Sequence, residues 1–316
     1  MQAPQFWNKQ GYLSKLLFPL GCLYAGITAL RLKIHQPTKV NAPVICIGNL
    51  TAGGSGKTPT AISIAGILQQ AGLNPGFITR GYGGKLQNIM VTPSIHSAAD
   101  VGDEPLLLAQ VAPVAVNHKR DQAARLAISK GVDIIIMDDG FQNPSLYKDK
   151  SFLVIDGAAG LGNFYPIPAG PLREFFSSGI KRADALIILG EDVHHIADLT
   201  PWLPSFKGKV TPKTQNLKFT KKVLAFAGIG RPDKFFNTLK DCGADIIKTR
   251  SFPDHHFYTE DELKSLINEA QKYDADIFTT SKDMVKIPPH LQSHFHQLEI
   301  TVAWENENEL KKFLLK

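Results

Sequence analysis

The chain has 316 residues, 43% hydrophobic and 20% charged, a composition that excludes a disordered, collagenous or low-complexity protein. Cys22, Cys46 and Cys242 stand apart with no CxxC spacing, which argues against a disulfide framework and a zinc-finger-type site and fits a reducing cytoplasm. A net charge of +6 favours anionic partners, among them nucleotides, phosphorylated metabolites and lipid headgroups, without choosing between them.

From the N-terminus, the first element is the uncharged stretch Leu16 to Leu30, flanked by Lys9 and Lys15 on one side and Arg31 and Lys33 on the other. A spanning helix takes about 20 apolar residues, and Pro19 and Gly21 interrupt this shorter run. No A-x-A cleavage pattern follows it. Two readings stand at this point: a helix in the membrane interface with basic flanks, or a helix buried in the protein's own core.

Apolar runs of β type then alternate with helical patterns. "PVICIGN", "PGFITRGYGG", "VAPVAVN", "VDIIIMDDG", "SFLVIDG" and "RADALIILG" read as strands, with "KTPTAISIAGILQQAG" and "RDQAARLAISKG" as helices between them. The pattern predicts βαβ units and a parallel sheet covered on both faces. Pro, Lys and Thr dominate from Trp202 to Lys222, and a domain boundary is expected there. A second α/β pattern follows, in which Thr259 with Glu262 three residues on gives a capping box for a helix. The expected organisation is an N-terminal apolar helix (1–34), a phosphate-loop domain (35–205), a linker (206–222), a smaller α/β domain (223–302) and a C-terminal helix (303–316) packing back on the first domain.

The chemistry starts at "TAGGSGKT". A phosphate loop, G-x-x-x-x-G-K-[ST], requires glycine where Thr51 stands, but Ala52, Gly53, Gly54, Ser55 and Gly56 lead correctly into Lys57 and Thr58. Glycines let backbone N–H groups turn toward an anion, Lys57 reaches β- and γ-phosphates, and the Thr58 hydroxyl suits Mg²⁺. A metal-holding acid is expected at the end of a buried strand, and Asp138 with Asp139 supplies it. In "GDE", Asp103 and Glu104 read either as cap and first turn of a helix or as base and metal ligand of a kinase. "FPDHHFYT" places Asp254, His255 and His256 in a loop of the second domain, from which an imidazole can pair with a carboxylate across a cleft. Arg80, Arg173, His118, Lys119 and Arg120 lie in loops expected at the carboxyl ends of strands, where α/β sheets bind ligands.

Taken in order, "GNLTAGGSGKTP", "TRGYGG", "VGDEPLLLA", "DDGFQ", "PAGPLRE", "FAGIGRP" and "FPDH" resemble the tetraacyldisaccharide 4'-kinase (lipid A 4'-kinase) family over residues 44 to 256, and the missing first glycine is itself a feature of that family. The resemblance implies a phosphate-loop NTPase-like parallel-sheet domain with a second, smaller α/β domain. It implies transfer of the ATP γ-phosphate to the 4'-hydroxyl of a tetraacylated glucosamine disaccharide 1-phosphate, in lipid A and lipopolysaccharide biosynthesis. Asp103 and His255 are implied as a catalytic dyad, with Mg²⁺ near Thr58, Glu104 and Asp138, Asp139 close by, and Arg173 near the phosphates. The family's N-terminal helix associates with membrane, which favours a peripheral or monotopic protein on the cytoplasmic face of the inner membrane, with the lipid as partner and no obligate protein partner; no nucleic acid is expected, because the Lys and Arg are scattered and no binding-module signature appears. The alternative from another class is a phosphate-loop ATPase acting as a nucleotide switch or metallochaperone, which has no use for the "FPDH" loop or the apolar helix.

Overall fold

In the computed structural model, which describes residues 4–214 and 217–316, the chain runs α1 (Tyr12–Ile34), β1 (Val44–Gly48), α2 (Lys57–Gln70), β2 (Pro75–Thr79), β3 (Ile89–Met90), α3 (Ala98–Val101), α4 (Asp103–Leu108), β4 (Val114–Val116), α5 (Arg120–Ser129), β5 (Ile134–Asp138), β6 (Lys150–Asp156), α6 (Phe176–Ile180), β7 (Ala185–Leu189) and β8 (Ser205–Pro212). It continues through β9 (Lys222–Ala227), α7 (Pro232–Asp241), β10 (Ile246–Ser251), α8 (Glu260–Lys272), β11 (Ala275–Thr280), α9 (Ser281–Met284), β12 (Phe295–Leu298), β13 (Ile300–Trp304) and α10 (Glu307–Leu315).

The strands form two sheets, one of nine in the order β13-β8-β7-β6-β1-β5-β2-β4-β3 and one of four in the order β10-β9-β11-β12. From β8 to β4 the first sheet is parallel, and its central strands β1, β2, β5 and β7 are buried along their whole length. Burial on both faces explains why they read as unbroken Val/Ile runs instead of alternating ones. Two apolar clusters cover the faces, one around Ile64, Leu68, Phe77 and Phe152 and the other around Ile135, Met137, Phe141 and Leu153. The second sheet is also parallel and has cores on both faces, built on Phe235, Phe236 and Leu239 of α7 and on Leu263 and Leu266 of α8.

The stretch expected as a linker carries β8 instead. Its inward residues Phe206 and Gly208 alternate with exposed Ser205, Lys207 and Lys209, a half-buried strand whose Lys and Pro content reads as a connection. β13, which the expected boundary after residue 302 divides between the second domain and the C-terminal helix, pairs antiparallel with β8 through Val302↔Val210 and so completes the first sheet. α10 follows it and buries Leu310 and Leu314 in the first sheet's core.

α1 is continuous through Pro19 and Gly21, the two residues expected to interrupt it. Gly21 makes its docking possible, because a Cβ there would sit 2.8 Å from Pro166 O. The buried positions of α1 are small, Ser14, Gly21, Ala25 and Thr28. Leu13, Leu16, Leu20, Leu23, Ile27, Leu30 and Ile34 follow each other at alternating steps of three and four and are 46% to 68% exposed. The helix therefore turns its large apolar side chains away from the protein, the reverse of an ordinary amphipathic surface helix.

Candidate active site

Residues Asn49 to Gly56 link β1 to α2 at the carboxyl edge of the first sheet. Thr51 forms an antiparallel bridge with Leu172, the Ala52 amide donates to Pro171 O at 2.7 Å, and the Arg173 amide donates to Leu50 O at 2.7 Å. A β-branched residue suits that extended pairing, which gives a physical reason for threonine where a phosphate loop ordinarily has glycine. Gly56 has φ +86°, and a Cβ on it would come 2.3 Å from Leu189 Cδ1, so only glycine turns the chain into α2 there. Lys57 and Thr58 are the first residues of that helix.

β5 is paired with β1 and delivers Asp138 beside the loop, where its Oδ2 accepts from the Thr58 hydroxyl at 3.2 Å. Asp138 Oδ1 is buried with no partner. Burial first, then the nearby Glu104 carboxylate, push the Asp138 carboxyl well above the ordinary range. Asp139 follows at φ +50°, a left-handed conformation that costs about 1–3 kcal/mol in a non-glycine residue and is characteristic of functional turns. Two cations converge on its Oδ1, Arg173 Nη1 at 2.8 Å and Lys57 Nζ at 3.7 Å. Burial raises the Asp139 carboxyl, but Lys57 and Arg173 outweigh it and hold the group low.

Gly102, at φ +93° with its would-be Cβ 2.5 Å from Tyr82 O, separates α3 from α4 and caps the latter. Asp103 is consequently the first helical residue and not the cap, and it is only 4% exposed. Opposite it, the loop after β10 holds His255 at φ +59°, with Nδ1 3.0 Å from both Asp103 carboxylate oxygens. The hydrogen bond to Asp103 raises His255 against the opposing effects of burial and Lys282. Burial works to raise Asp103, but His255 and Lys282 together bring it below the usual carboxylate range. The Tyr82 ring lies against the imidazole at 5.4 Å between centroids. His256 points elsewhere, onto the Glu262 carboxylate at 3.1 Å, which singles out His255 as the imidazole at the site.

Sequence reasoning missed Lys282. It stands at the start of α9, which packs against α4, and its Nζ lies 3.3 Å from His255 Nε2, 3.5 Å from Asp254, 3.6 Å from Glu104 and 3.9 Å from Asp103. Burial favours its neutral form, but the surrounding carboxylates outweigh that and keep it cationic. Its neighbour Asp283 is completely buried and fixes the second lobe's edge, accepting from the Gly228 amide, the Tyr258 hydroxyl and Lys286. A signal existed in "TTSKD", polar residues ending a buried strand as Asp138 does.

The expected basic rim is only partly assembled. Arg173 is at the phosphate loop, Arg80 meets His118 at 3.4 Å, and Lys119 is exposed. Arg120 is 5% exposed, donates to Asn117 O at 2.9 Å and leaves Nε unpartnered. Burial first, then the charge of Arg80, lower its guanidinium to about 10.

A cavity of about 430 Å³ adjoins the site, lined by Tyr24, Ile27, Thr28 and Arg31 of α1 and by Gln142, Ile167 and Arg173. Arg31 Nη2 donates to Gln142 O at 2.9 Å, tying the helix to the loop that carries Asp138 and Asp139.

A family model for tetraacyldisaccharide-1-P 4'-kinase matches residues 13–316. The chain belongs to that family. It is 44% identical over 323 residues to the tetraacyldisaccharide 4'-kinase of Rhodospirillum centenum, with 99% of this chain and 96% of that protein covered. With the same-named protein of Rhodospirillum rubrum it is 41% identical over 312 residues, covering 96% and 94% of the two chains. The crystal structure of "apo" form LpxK from Aquifex aeolicus in complex with ATP superposes at a TM-score of 0.75 and 28% identity, covering 96% of this chain and 98% of that one. The α/β architecture with a phosphate loop is thus that of a 4'-kinase family member. The chain is an ATP-dependent kinase for the 4'-hydroxyl of a tetraacyldisaccharide 1-phosphate in lipid A biosynthesis, and the switch or metallochaperone reading falls.

Proposed function

We propose that phosphoryl transfer takes place in the cleft between the two sheets, with Asp103 accepting the proton of the 4'-hydroxyl and His255 orienting and supporting it. The observation that carries this reading is the pairing of Asp103 with His255 at 3.0 Å from opposite lobes, next to the phosphate loop. The carboxylate is ionised and fixed on both oxygens, so it is ready to take a proton late in a loose, metaphosphate-like transfer. Lys57 and the amides of Gly53 to Thr58 cradle the triphosphate of ATP, since the Ala52 amide is held by Pro171 O. Lys57 and Arg173, now gathered on Asp139, are positioned to exchange that carboxylate for phosphate oxygens. Lys282 brings a further positive charge to the side of the cleft where the phosphoryl group arrives.

Thr58, Glu104 and Asp138, with Asp139 nearby, are the residues to hold Mg²⁺. The donor set fits: these are hard oxygen ligands, one of them the buried, unpartnered Asp138 Oδ1, and too few for an all-protein cage, as suits an ion that keeps waters and substrate phosphates as ligands. Held by these residues, Mg²⁺ would supply positive charge to offset the negative charge developing on the transferring phosphoryl group.

The lipid enters from the membrane side. α1 lies on the cytoplasmic face of the inner membrane with its leucine face in the acyl region, a peripheral or monotopic attachment that requires no protein or nucleic-acid partner. The cavity between α1 and Gln142 joins apolar walls to two guanidinium groups, which matches an acylated sugar phosphate. The test is incubation of γ-labelled ATP with an acylated disaccharide 1-phosphate: label in the lipid is expected. ATP hydrolysis that ignores the lipid would overturn the proposal.

A further inference from the structure

Apart from Lys213 and Glu299 at the chain crossover, hydrogen bonds and ion pairs among the described residues join the two lobes in two places. One is the cluster of Asp103, Glu104, His255 and Lys282. The other is Asp156, the last residue of β6, whose Oδ2 is paired with Arg231 Nη1 at 2.8 Å and with Lys234 Nζ. β6 outruns its neighbour β1: Leu153 is level with Gly48, and Asp156 lies three residues further on, about 10 Å toward the cleft. The Asp156 side chain is 9% exposed, and its Oδ1 is engaged by the Ala159 amide, which leaves Oδ2 to the two cations of the second lobe.

Those cations are coupled to the site by short covalent and packing paths. Arg231 ends the turn Gly228–Ile229–Gly230 after β9. A Cβ on Gly230 would lie 3.4 Å from Asp254 Oδ2, so this turn rests on the residue preceding His255. Gly228 in turn donates to Asp283, the neighbour of Lys282. The strands carrying the two loops, β9 and β10, run parallel with Ser251 opposite Ala227, so both loops leave the same edge of the second sheet.

We propose that Asp156 is a positioning residue: by clasping Arg231 and Lys234 it sets the second lobe so that His255 meets Asp103. This rests on the Asp103–His255 reading above. A partly buried carboxylate shared by two cations is the sort of contact that retains strength in water, whereas a single exposed ion pair contributes little. It also lies outside the reacting atoms, so the clasp persists while protonation at the dyad changes during turnover.

The experiment is steady-state kinetics on full-length Asp156→Asn and on Arg231→Gln/Lys234→Gln, each in the wild-type and the His255→Gln background. Loss of the clasp is expected to lower kcat about tenfold, within the range of coupling in one contact network, with KM for ATP changed less than about twofold. Asp156→Glu is expected to recover most of the activity. In the His255→Gln background the same substitutions are expected to cost little more, because there is no imidazole left to place. Equal losses in both backgrounds would overturn the proposal, as would full activity of Asp156→Asn or a raised KM for ATP with unchanged kcat, the mark of a nucleotide contact. The Arg231→Gln/Lys234→Gln variant, which alters only exposed side chains of the second lobe, guards against a folding defect at Asp156. Full activity of His255→Gln alone is a separate result and would overturn the dyad itself.

Discussion

Asp103→Asn separates the proton acceptor from the contact it makes. The amide has nearly the shape of the carboxylate, and its Oδ1 still accepts from His255 Nδ1, so the 3.0 Å link between lobes persists in neutral form. What is lost is the negative charge and the basicity. Lys282 keeps Glu104 at 3.6 Å and Asp254 at 3.5 Å after losing the Asp103 charge at 3.9 Å, so it remains a compensated cation. The kinetic cost therefore reports on proton acceptance. Removing a general base costs about 10²- to 10⁴-fold, or about 2.7–5.4 kcal/mol in the barrier. The assay is single-turnover transfer of γ-label to the acylated disaccharide phosphate, together with KM for ATP. A fall in the chemical rate of at least about 10²-fold is expected with ATP binding retained. A rate within about threefold of wild type would refute the reasoning, because a loose transfer relying only on positioning and charge would then suffice.

The dyad also contributes to stability with a defined pH window. His255 is raised above 6.5, so its contribution is complete below that value and lost as pH rises through its folded pKa; Asp103 is depressed below 3.8, so its contribution is complete above that value and lost as pH falls through its folded pKa. The Tm difference between wild type and His255→Gln should therefore be greatest between these values and shrink on the alkaline side; a difference that grows on the alkaline side would refute the pairing. Lys57→Ala should lower kcat about 10²- to 10³-fold, the scale for removing one preorganised electrostatic partner of a developing charge, measured with the lipid acceptor at saturation. Leu20→Glu/Leu23→Glu on the outer face of α1 should weaken sedimentation with phospholipid vesicles by at least about tenfold, since burying one leucine is worth about 1.5–3 kcal/mol, while a detergent-dispersed acceptor is still phosphorylated. Unaltered vesicle binding would show that this face does not meet the bilayer.

What could be read from the chain alone follows from how far apart the interacting residues lie. The phosphate loop and Asp138 were legible because each is a local event, an apolar strand ending in the residue types that bind phosphate or metal, and the strand-helix alternation sets their common edge. Thr51 looked like a defect for the opposite reason: its partner Leu172 lies in another loop, and nothing near Thr51 in sequence announces that bridge. β8 was hidden by the same distance effect, since Ser205–Pro212 acquires its strand character from β7 on one side and from β13, some 90 residues on, at the other. A half-buried strand with lysines outward has only two or three inward side chains to announce it. Lys282 and Asp156 are the sharper cases. Both end or follow buried strands, the feature that exposed Asp138, but neither adjoins a phosphate-binding motif, and their meaning comes from the opposite lobe: the carboxylates of Asp103 and Glu104 for Lys282, two cations for Asp156. Charge at a strand end marks a candidate. Only the fold supplies the countercharge, and in this cleft the countercharges determine which residue is ionised, which is oriented and which joins the lobes.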